Sequence, residues 1–374
     1  MLQEPRHWPV VVVGAGPAGL AVSHQLRRRR TEHVVLERGD DVGASWRSFY
    51  TSLVLHTGKH LSSLPDLPFE RGDPLFTPRP AFVGYLERYA RTLELPVRNR
   101  TEVVAATPID EGWSVQTERG VHLARVLVVA TGIAGRPRVP AIQGAEAFSG
   151  SIRHSIEYRD PQPFAGRRVL VVGAGNSAAE IASELGRAGV ATTIAIRSGV
   201  LVVPLTVAGV PSQYIGIGLR RLPRAIGTAI ARASVMITGR RRQDGLPRSA
   251  ANPLDVIPIV GMQLSDAIRD GRVDLRAGLT ELTATTARYA DGTETPIDDV
   301  ILATGFTAAI SWLAGGIALD ERGFANRHNR VVSADRDRLL FVGHNYDAGG
   351  GLVNIRRDAP LAADAALSML GSAR

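Results

Sequence analysis

Two glycine-rich segments carry the residue types that bind the diphosphate of a dinucleotide. They read VVVGAGPAGLA at residues 11–21 and VLVVGAGNSAAE at residues 169–180. In the first, Gly14 allows a tight turn from strand to helix, Gly16 lets a pyrophosphate approach the helix N-terminus, and Gly19 lets the helix pack on the strand. The same three positions of the second segment are occupied by Gly173, Gly175 and Ala178. Two such loops predict two dinucleotide sites between which a hydride can pass. A glycine-rich loop alone can also be a simple tight turn, so the neighbouring helices and strands decide between the two interpretations.

The residues that follow each loop distinguish the two sites. The first loop leads through a helix to the strand HVVLE, whose last residue, Glu37, stands where a carboxylate binds the adenosine ribose hydroxyls. After the second loop, Arg197 and Ser198 occupy that place and no acidic residue is present. A guanidinium can make a bidentate contact with a 2′-phosphate, so the second loop is predicted to bind NADPH rather than NADH. The alternative is an unrelated surface salt bridge for Arg197.

Composition excludes several functions. A length of 374 residues is enough for two or three domains. The sequence contains no cysteine, which excludes a redox-active disulfide relay, a disulfide framework and a thiolate metal site, and no metal is predicted. The net charge of +8 comes almost wholly from arginine, because Lys59 is the only lysine. No nucleic-acid-binding motif accompanies this charge, so no nucleic-acid partner is predicted.

No export or membrane segment is recognisable. The apolar run at residues 10–13 leads directly into the first loop and leaves no room for a cleaved signal peptide. The later run at residues 199–211 is interrupted by two prolines and is too short to span a bilayer. We therefore expect a cytoplasmic protein without a transmembrane segment.

The pattern along the chain predicts how the domains are connected. A first βαβ unit covers residues 9–37, and a helix is expected near residues 80–93. Strand-like segments follow at residues 97–107, 113–117 and 122–129. The endings VVATG at 128–132 and DVILATGF at 299–306 are similar and mark two points at which the chain passes between domains. The strand LLFVGH and a final helix then return to the first domain.

The most specific motif lies between the two loops. The segment FSGSIRHSIEY matches FxGxxxHxxx(Y/F) through Phe148, Gly150, His154 and Tyr158. Further matches are GxGxxG, SWR, LHTGK, GxGNS and the second ATGF, nearly from end to end. With these motifs the chain resembles the flavin-containing monooxygenases, the N- and S-oxygenating relatives of the Baeyer–Villiger monooxygenases. Tyr158 departs from the Baeyer–Villiger branch, which usually has tryptophan at this position.

The resemblance implies a fold and a reaction. The expected fold is α/β with two Rossmann-like dinucleotide-binding domains: a discontinuous FAD domain at residues 1–150 and 304–374, and an inserted NADPH domain at residues 151–303. NADPH would reduce FAD, a C4a-hydroperoxyflavin would form with O₂, and one oxygen atom would pass to a small organic substrate, with N- or S-oxygenation favoured. The alternative reactions are Baeyer–Villiger insertion and oxidative decarboxylation. Two other classes of protein also remain: an NAD(P)H-dependent flavin reductase, which would not need the FxGxxxHxxxY motif, and a non-catalytic redox sensor.

The resemblance also carries site residues onto this sequence. The residues expected to bind FAD are Gly14, Gly16, Pro17, Ala18, Gly19, Glu37, Arg38, Trp46, Arg47, His56, Val104, Ala130, Thr131, Gly132 and Asn345. The residues expected to bind NADPH are Gly173, Gly175, Asn176, Ser177, Ala178, Arg197, Ser198, Thr304 and Gly305.

One histidine is the candidate catalytic residue. Relatives have an asparagine near the flavin in a segment like SNxPK, and here LHTGK places His56 at the asparagine position and Lys59 at the lysine position. A similar histidine occurs in the plant YUCCA-type branch, which decarboxylates an indolic keto acid oxidatively. His56 is expected to donate a hydrogen bond to the hydroperoxide, or else to pack under the flavin without a catalytic role. His154 is expected to position the interdomain linker rather than to move protons.

Residues 199–250 are expected to form an insertion that determines substrate specificity. The segment is apolar with interleaved arginines. It is interpreted either as a lid over the flavin or as an amphipathic helix whose arginines face water, with a membrane-surface role as a third alternative. The oligomeric state is not fixed by the sequence, and a homodimer is compatible with it.

Overall fold

The computed structural model describes residues 5–242 and 244–371. The described chain divides into two compact units. The first contains the residues through Ser48, Leu53–Arg136 and Phe306 onward, and the second contains Phe49–Ser52 and Pro137–Gly305. The long insertion thus begins at residue 137 and ends at residue 305, against the expected 151 and 303. The sequence pattern did not predict that the short segment Phe49–Ser52 belongs to the second unit.

The secondary structure up to the insertion consists of β1 (Arg6–Val13), α1 (Pro17–Arg28), β2 (His33–Leu36), α2 (Ala44–Arg47), β3 (Val54–Gly58), α3 (Lys59–Ser62), β4 (Phe76–Pro78), α4 (Arg79–Thr92), β5 (Val97–Arg98), β6 (Val103–Ile109), β7 (Gly112–Thr117), β8 (Gly120–Val129) and β9 (Arg136–Pro137). The elements that follow are β10 (Ser151–His154), β11 (Arg168–Val172), α5 (Asn176–Arg187), β12 (Ala191–Ala195), β13 (Val202–Val203), β14 (Thr206–Val207), β15 (Val210–Pro211), α6 (Ser212–Arg220), α7 (Arg224–Arg242), β16 (Ile259–Val260), α8 (Gln263–Arg269), β17 (Val273–Arg276), β18 (Leu279–Leu282), β19 (Thr286–Tyr289), β20 (Glu294–Pro296) and β21 (Asp299–Leu302). The remaining elements are β22 (Phe306–Thr307), β23 (Arg327–His328), β24 (Val332–Ser333), β25 (Leu339–Phe341) and α9 (Gly351–Gly371).

The first unit is organised around a sheet with the order β23-β24-β25-β8-β1-β2-β5. Strands β25, β8, β1, β2 and β5 are parallel, and β6 and β7 extend the sheet as an antiparallel hairpin beside β8. Both faces of the centre of this sheet are covered. Helices α1 and α9 contribute to the core on one face, while Trp113 and Phe341 belong to the core on the other. Because β1 is buried on both sides, its last four residues form an uninterrupted valine run.

The second unit contains a five-stranded parallel sheet with the order β10-β21-β11-β12-β17. Strand β11, helix α5 and strand β12 form its βαβ unit, and α8 packs against α5. An antiparallel sheet of β18, β19 and β20 packs its apolar residues with those of β11 and β21. The predicted α/β fold with two Rossmann-like halves is therefore confirmed.

Several local predictions differ in detail from the structure. The strand expected at residues 97–107 is two strands, because Arg100 has a left-handed φ of 52° and the N–H of Thr101 bonds the carbonyl of Glu37. The stretch after the first βαβ unit, expected to be irregular, contains the short elements α2, β3 and α3. Residues 199–250 form α6, α7 and the hairpin β14–β15, with residue 243 of that segment outside the described residues.

None of the helices in the described part of the chain combines the length and apolar content that crossing a bilayer requires.

Candidate functional site

The first glycine loop is packed tightly at two of its three glycines. Strands β1 and β2 pair Val13 with Leu36, and the N–H of Gly14 bonds the carbonyl of Leu36 at 2.8 Å. Gly14 has a φ of +101°, and a Cβ added there would lie 2.8 Å from the carbonyl oxygen of Ala130. A Cβ on Gly19 would lie only 1.8 Å from the carbonyl oxygen of Gly14. Strand, ATG turn and helix therefore meet at a point that only glycine fits.

The middle glycine of this loop, Gly16, is open, meaning that the space a side chain would occupy there is empty. A Cβ added to Gly16 would meet nothing within 4 Å, and no side chain caps the helix that begins after it. The first N–H groups of a helix lack intrahelical partners and favour anions. The open glycine and the uncapped helix end fit a dinucleotide diphosphate.

Glu37 lies at the same edge of the sheet, directly after β2. Its buried carboxylate accepts the N–H of Ala15 at 2.7 Å through Oε2 and the N–H of Gly39 at 2.8 Å through Oε1. An ionised carboxylate has about two acceptor sites on each oxygen, so both oxygens keep capacity for a ribose hydroxyl. These bonds also fix the carboxylate against the loop.

The second loop repeats this construction. The N–H of Gly173 bonds the carbonyl of Ala195 at 3.2 Å, and a Cβ on Gly173 would lie 2.3 Å from the carbonyl oxygen of Ala303. Gly175 is open in the same way as Gly16, and α5 also begins without a side-chain cap. The carbonyl of Ala303 thus packs against Gly173 in the same way as the carbonyl of Ala130 packs against Gly14. Each ATG turn packs against the first glycine of the loop in its own unit, which gives a packing reason for the repeated motif.

Arg197 lies at the edge of the parallel sheet that carries the second loop. Strands β11 and β12 pair Val172 with Ala195, so Arg197, just beyond β12, is on the same side as Gly173. Its side chain and that of Ser198 are exposed. Among the residues whose side chains the structure describes, 5–237 and 244–371, none bonds the Arg197 guanidinium, so the salt-bridge alternative gains no support. The cation is available to an anionic ligand.

Two further residues expected to bind NADPH have structural partners. The amide of Asn176 donates to the carbonyl of Pro258 at 3.0 Å and accepts the N–H of Val260 at 2.8 Å. The asparagine of GxGNS therefore anchors the β16 segment beside the start of α5. The hydroxyl of Thr304 donates to the carbonyl of Arg138.

The FxGxxxHxxxY motif is a packing unit of the second domain. His154 is 3% exposed; its Nε2 donates to the carbonyl of Gly305 at 3.0 Å and its Nδ1 accepts the N–H of Ile156 at 3.3 Å. Burial lowers the pKa of His154, so its ring remains neutral and ties β10 to the second ATG turn. Phe148 lies in the core, and a Cβ on Gly150 would lie 2.2 Å from the carbonyl oxygen of Asp298.

Tyr158 belongs to a tyrosine–glutamate cluster formed by Tyr50, Tyr158, Glu180 and Glu184. The Tyr158 hydroxyl donates to Glu184 at 2.9 Å, the Tyr50 hydroxyl donates to Glu180 at 2.6 Å, and the two rings are 6.2 Å apart. Ser177 lies on the same helix, three positions before Glu180. Burial and the adjacent carboxylates raise the pKa of both phenols, which therefore stay protonated. The sequence analysis did not identify Tyr50 or the two glutamates as site residues. The helical spacing of residues 177, 180 and 184, which puts them on one face of α5, was the only available signal, and nothing in the sequence linked Tyr50 to that face.

His56 and Lys59 lie together in the first unit. His56 is a partly buried residue of β3. The Lys59 ammonium donates to three carbonyls, those of Glu70 at 3.0 Å, Arg71 at 2.8 Å and Asp73 at 2.6 Å. Since an ammonium has three hydrogens, Lys59 is fully used in holding this loop. The lysine of LHTGK is therefore a structural residue here.

The SWR segment begins against the first loop. The N–H of Gly43, just before α2, bonds the carbonyl of Ala15 at 3.0 Å. The Trp46 ring packs edge-on against Phe82 at 4.5 Å, and Arg47 forms an ion pair with Glu87. Arg38 and Val104, also expected at the flavin, have exposed side chains.

Asn345 is committed to an internal network. Its amide donates to the carbonyl of Arg330 at 3.1 Å and to the buried Asp358 at 2.6 Å, and its oxygen accepts from Arg327 at 3.2 Å. Both amide hydrogens are thus used within the protein. Gly343, two positions before it, lies against the start of α1, because a Cβ there would lie 2.8 Å from the Cβ of Ala18. A glycine directly after the LLFV strand was the available sequence signal for this contact.

These features define the class of protein. Each unit is a parallel α/β sheet with an open glycine in front of an uncapped helix, the architecture of an oxidoreductase that binds two dinucleotides.

Comparisons with known proteins place the chain within that class. A family model described as pyridine nucleotide-disulphide oxidoreductase matches residues 11–203. The indole-3-pyruvate monooxygenase YUCCA1 of Oryza sativa subsp. japonica is 35% identical over 316 residues, which cover 81% of this chain and 78% of the relative. The probable indole-3-pyruvate monooxygenase YUCCA1 of Arabidopsis thaliana is 34% identical over 83% of this chain and 78% of the relative. A flavin-containing monooxygenase from Stenotrophomonas maltophilia has a similar structure, with a TM-score of 0.78 and 25% identity over 97% of this chain and 99% of that chain.

The chain belongs to the flavin monooxygenases of the pyridine nucleotide-disulphide oxidoreductase family. It is an enzyme whose cofactors are a flavin and a pyridine nucleotide. Since the sequence contains no cysteine, the disulfide chemistry in the family name does not take place on its own side chains.

Proposed function

We propose that this protein is an NADPH- and FAD-dependent monooxygenase that transfers one atom of O₂ to a small organic substrate. The observation that carries the proposal is a pair of similarly built loops that are followed by opposite charges at the ribose end. Glu37 follows the first loop and suits the ribose hydroxyls of FAD, whereas Arg197, which has no bonding partner among the described residues, follows the second and suits the 2′-phosphate of NADPH.

The roles of the protein residues follow from this assignment. When bound, the flavin supplies hydride acceptance and the oxygen-transfer chemistry. The N–H groups at the starts of α1 and α5 hold the two diphosphates, with Gly16 and Gly175 providing the space. The neutral His154 holds β10 on the second ATG turn and carries no proton in the reaction. His56 is assigned as the hydrogen-bond donor that protects the reaction at the flavin from wasteful release of peroxide.

Two substrate classes are candidates. The likeness to the flavin-containing monooxygenases supports N- or S-oxygenation of an amine or thioether. The higher identity to relatives named indole-3-pyruvate monooxygenases, together with the histidine of LHTGK, favours oxidative decarboxylation of an aromatic 2-oxo acid. We give the second class priority, because these relatives are 35% and 34% identical to this chain, against 25% for the flavin-containing monooxygenase from Stenotrophomonas maltophilia.

The deciding experiment supplies NADPH and isotopically labelled O₂ to the purified holoenzyme, with a tertiary amine, a thioether, a ketone and an indolic 2-oxo acid tested separately. The expected result is one labelled oxygen atom per product molecule, accompanied by equimolar CO₂ when the 2-oxo acid is the substrate. NADPH oxidation that produces only hydrogen peroxide with every compound would instead indicate a flavin reductase.

A further inference from the structure

The described chain concentrates its exposed apolar side chains in one segment. Of the fifteen large apolar residues that are exposed in the described chain, eight fall within residues 207–237. They are Val207, Val210, Ile215, Leu222, Ile226, Ile230, Met236 and Ile237. Single exposed apolar residues are ordinary, but a concentration of them marks an interaction surface.

Helix α7 shows how this surface is built. Ile226, Ile230 and Ile237 are 52%, 43% and 57% exposed, and their spacing of four and seven residues puts them on one side of the helix. The other side faces the protein, where Gly227 and Ala231 are buried and a Cβ on Gly227 would lie 2.4 Å from the carbonyl oxygen of Leu219 in α6. Isoleucines thus occupy the outward positions at which a surface helix normally carries charges.

The stretch of sequence that contains this helix is rich in arginine. Residues 185–243 contain nine arginines and neither aspartate nor glutamate. Two of the arginines attach the helices inward, since Arg224 pairs with Asp255 at 2.8 Å and Arg220 donates to the carbonyl of Leu254 at 2.8 Å. Arg221 and Arg232 are exposed, and neither guanidinium has a bonding partner among the described residues.

We propose that the α6–α7 surface, defined as residues 212–237, docks on an anionic lipid bilayer. The isoleucines of α7 would enter the boundary between headgroups and acyl chains, while Arg221 and Arg232 contact lipid phosphates. This combination of outward apolar residues with cations is that of interfacial helices, which lie on a membrane without crossing it. A second copy of the chain is a poorer occupant, because two such surfaces would bring arginines against arginines. The inference does not depend on the proposed substrate.

The test is flotation of the purified, flavin-loaded protein with vesicles. Phosphatidylcholine vesicles are compared with vesicles containing an equimolar share of phosphatidylglycerol. The protein is expected to float with the anionic vesicles only, and raised salt should release most of it. A double substitution, Ile226→Gln with Ile230→Gln, is expected to reduce bound protein about tenfold. Arg221→Glu with Arg232→Glu should have at least as large an effect, since each lost cation weakens adsorption roughly fivefold.

Two control substitutions outside the α6–α7 surface show whether any loss of binding is specific to that surface. Val139→Gln changes an apolar residue that is 63% exposed elsewhere in the same unit, and Arg119→Glu reverses an exposed arginine at the β7–β8 turn. Both controls should float like the wild type, and all variants should keep their flavin content and thermal midpoint. Absence of wild-type binding to anionic vesicles, or equal binding by the double variants, would overturn the proposal. A wild-type dimer in light scattering that the isoleucine substitutions dissociate would also overturn it, because the surface would then join two copies.

Discussion

The hydroxyl of Tyr50 donates a 2.6 Å hydrogen bond to the carboxylate of Glu180. Tyr50 lies in the four-residue segment Phe49–Ser52, and Glu180 lies in α5, the helix that begins at the second glycine loop. The neighbouring N–H of Thr51 bonds the carbonyl of Arg159 at 2.9 Å. A short segment from between α2 and β3 is therefore built into the second unit, where it bonds α5, the helix that we propose to hold the coenzyme diphosphate.

Tyr50→Phe is expected to destabilise that helix and weaken binding of the pyridine nucleotide. A hydrogen bond to a charged group contributes about 1.5–3 kcal/mol, and the substitution removes it without opening a cavity. Titration with NADP⁺ should show a several-fold higher dissociation constant, with a lower thermal midpoint and unchanged flavin content. Tyr346→Phe, at a partly exposed tyrosine in the other unit, is the control. Equal affinities in the Tyr50 variant and wild type would remove this role.

Substitutions at the two open glycines, Gly16 and Gly175, allow each proposed dinucleotide site to be blocked independently of the other. Gly16 and Gly175 have extended backbones that any residue adopts, and a Cβ at either meets nothing within 4 Å. Valine at either position should therefore fold normally and obstruct only the ligand. Gly16→Val is expected to yield colourless protein, and Gly175→Val yellow protein that NADPH no longer reduces. Absorbance spectra and anaerobic reduction check both; full flavin occupancy in Gly16→Val would show that the loop assignment is wrong.

Arg197→Ala tests coenzyme choice. One charge-assisted contact to a phosphate is worth about 1.5–3 kcal/mol, which corresponds to roughly a tenfold to hundredfold change in affinity. The Michaelis constant for NADPH should rise by that factor while the constant for NADH changes little. Arg276→Ala, at a partly buried arginine of the neighbouring strand β17, serves as the comparison. A similar loss with both coenzymes would mean that Arg197 does not contact the 2′-phosphate.

His56→Ala tests the proposed catalytic histidine. Loss of its hydrogen-bond donor is expected to raise the fraction of NADPH consumption that ends in hydrogen peroxide, with the anaerobic rate of flavin reduction nearly unchanged. His60→Ala changes an exposed histidine just beyond the same strand and should leave the peroxide yield unaltered. Slower anaerobic reduction in the His56 variant would point to a role in docking the coenzyme.

His344 is expected to make stability depend on pH. Burial against Phe324 and Phe341 lowers the pKa of His344 from 6.5 to about 3, and neither ring nitrogen has a partner in the described chain. Below pH 6.5 the unfolded chain binds a proton that the native ring excludes, so stability is complete above that pH and decreases toward pH 3. The loss should be about 2 kcal/mol at pH 5.

Thermal midpoints at pH 8 and pH 5 check this dependence. His344→Leu should narrow the difference between the two midpoints, whereas His328→Leu, at an exposed histidine, should keep it. Residual dependence is expected because burial also lowers the pKa of His33, His122 and His154. An unchanged difference in His344→Leu would contradict the assignment.

The local chemistry of the two loops could be predicted from the sequence alone. Strand, glycine turn and helix are encoded within a few residues around Gly14 and Gly173, and the distance to Glu37 or Arg197 is set by one helix and one strand. The α/β fold followed from the same pattern, because valine runs between amphipathic helices require a buried parallel sheet. The family likeness rested on such local motifs and is confirmed by the comparisons.

The tertiary structure decided what distant side chains do. Lys59 is a loop anchor and Asn345 a network residue because carbonyl and carboxylate oxygens 11–15 positions away accept their hydrogens, and no local motif specifies those partners. Tyr50 meets Glu180 only after the chain passes between units, a pairing across 130 positions that no periodicity encodes. The outward isoleucines of α7 are likewise a tertiary result, since periodicity gives the faces of a helix, and only packing decides which of them the protein covers.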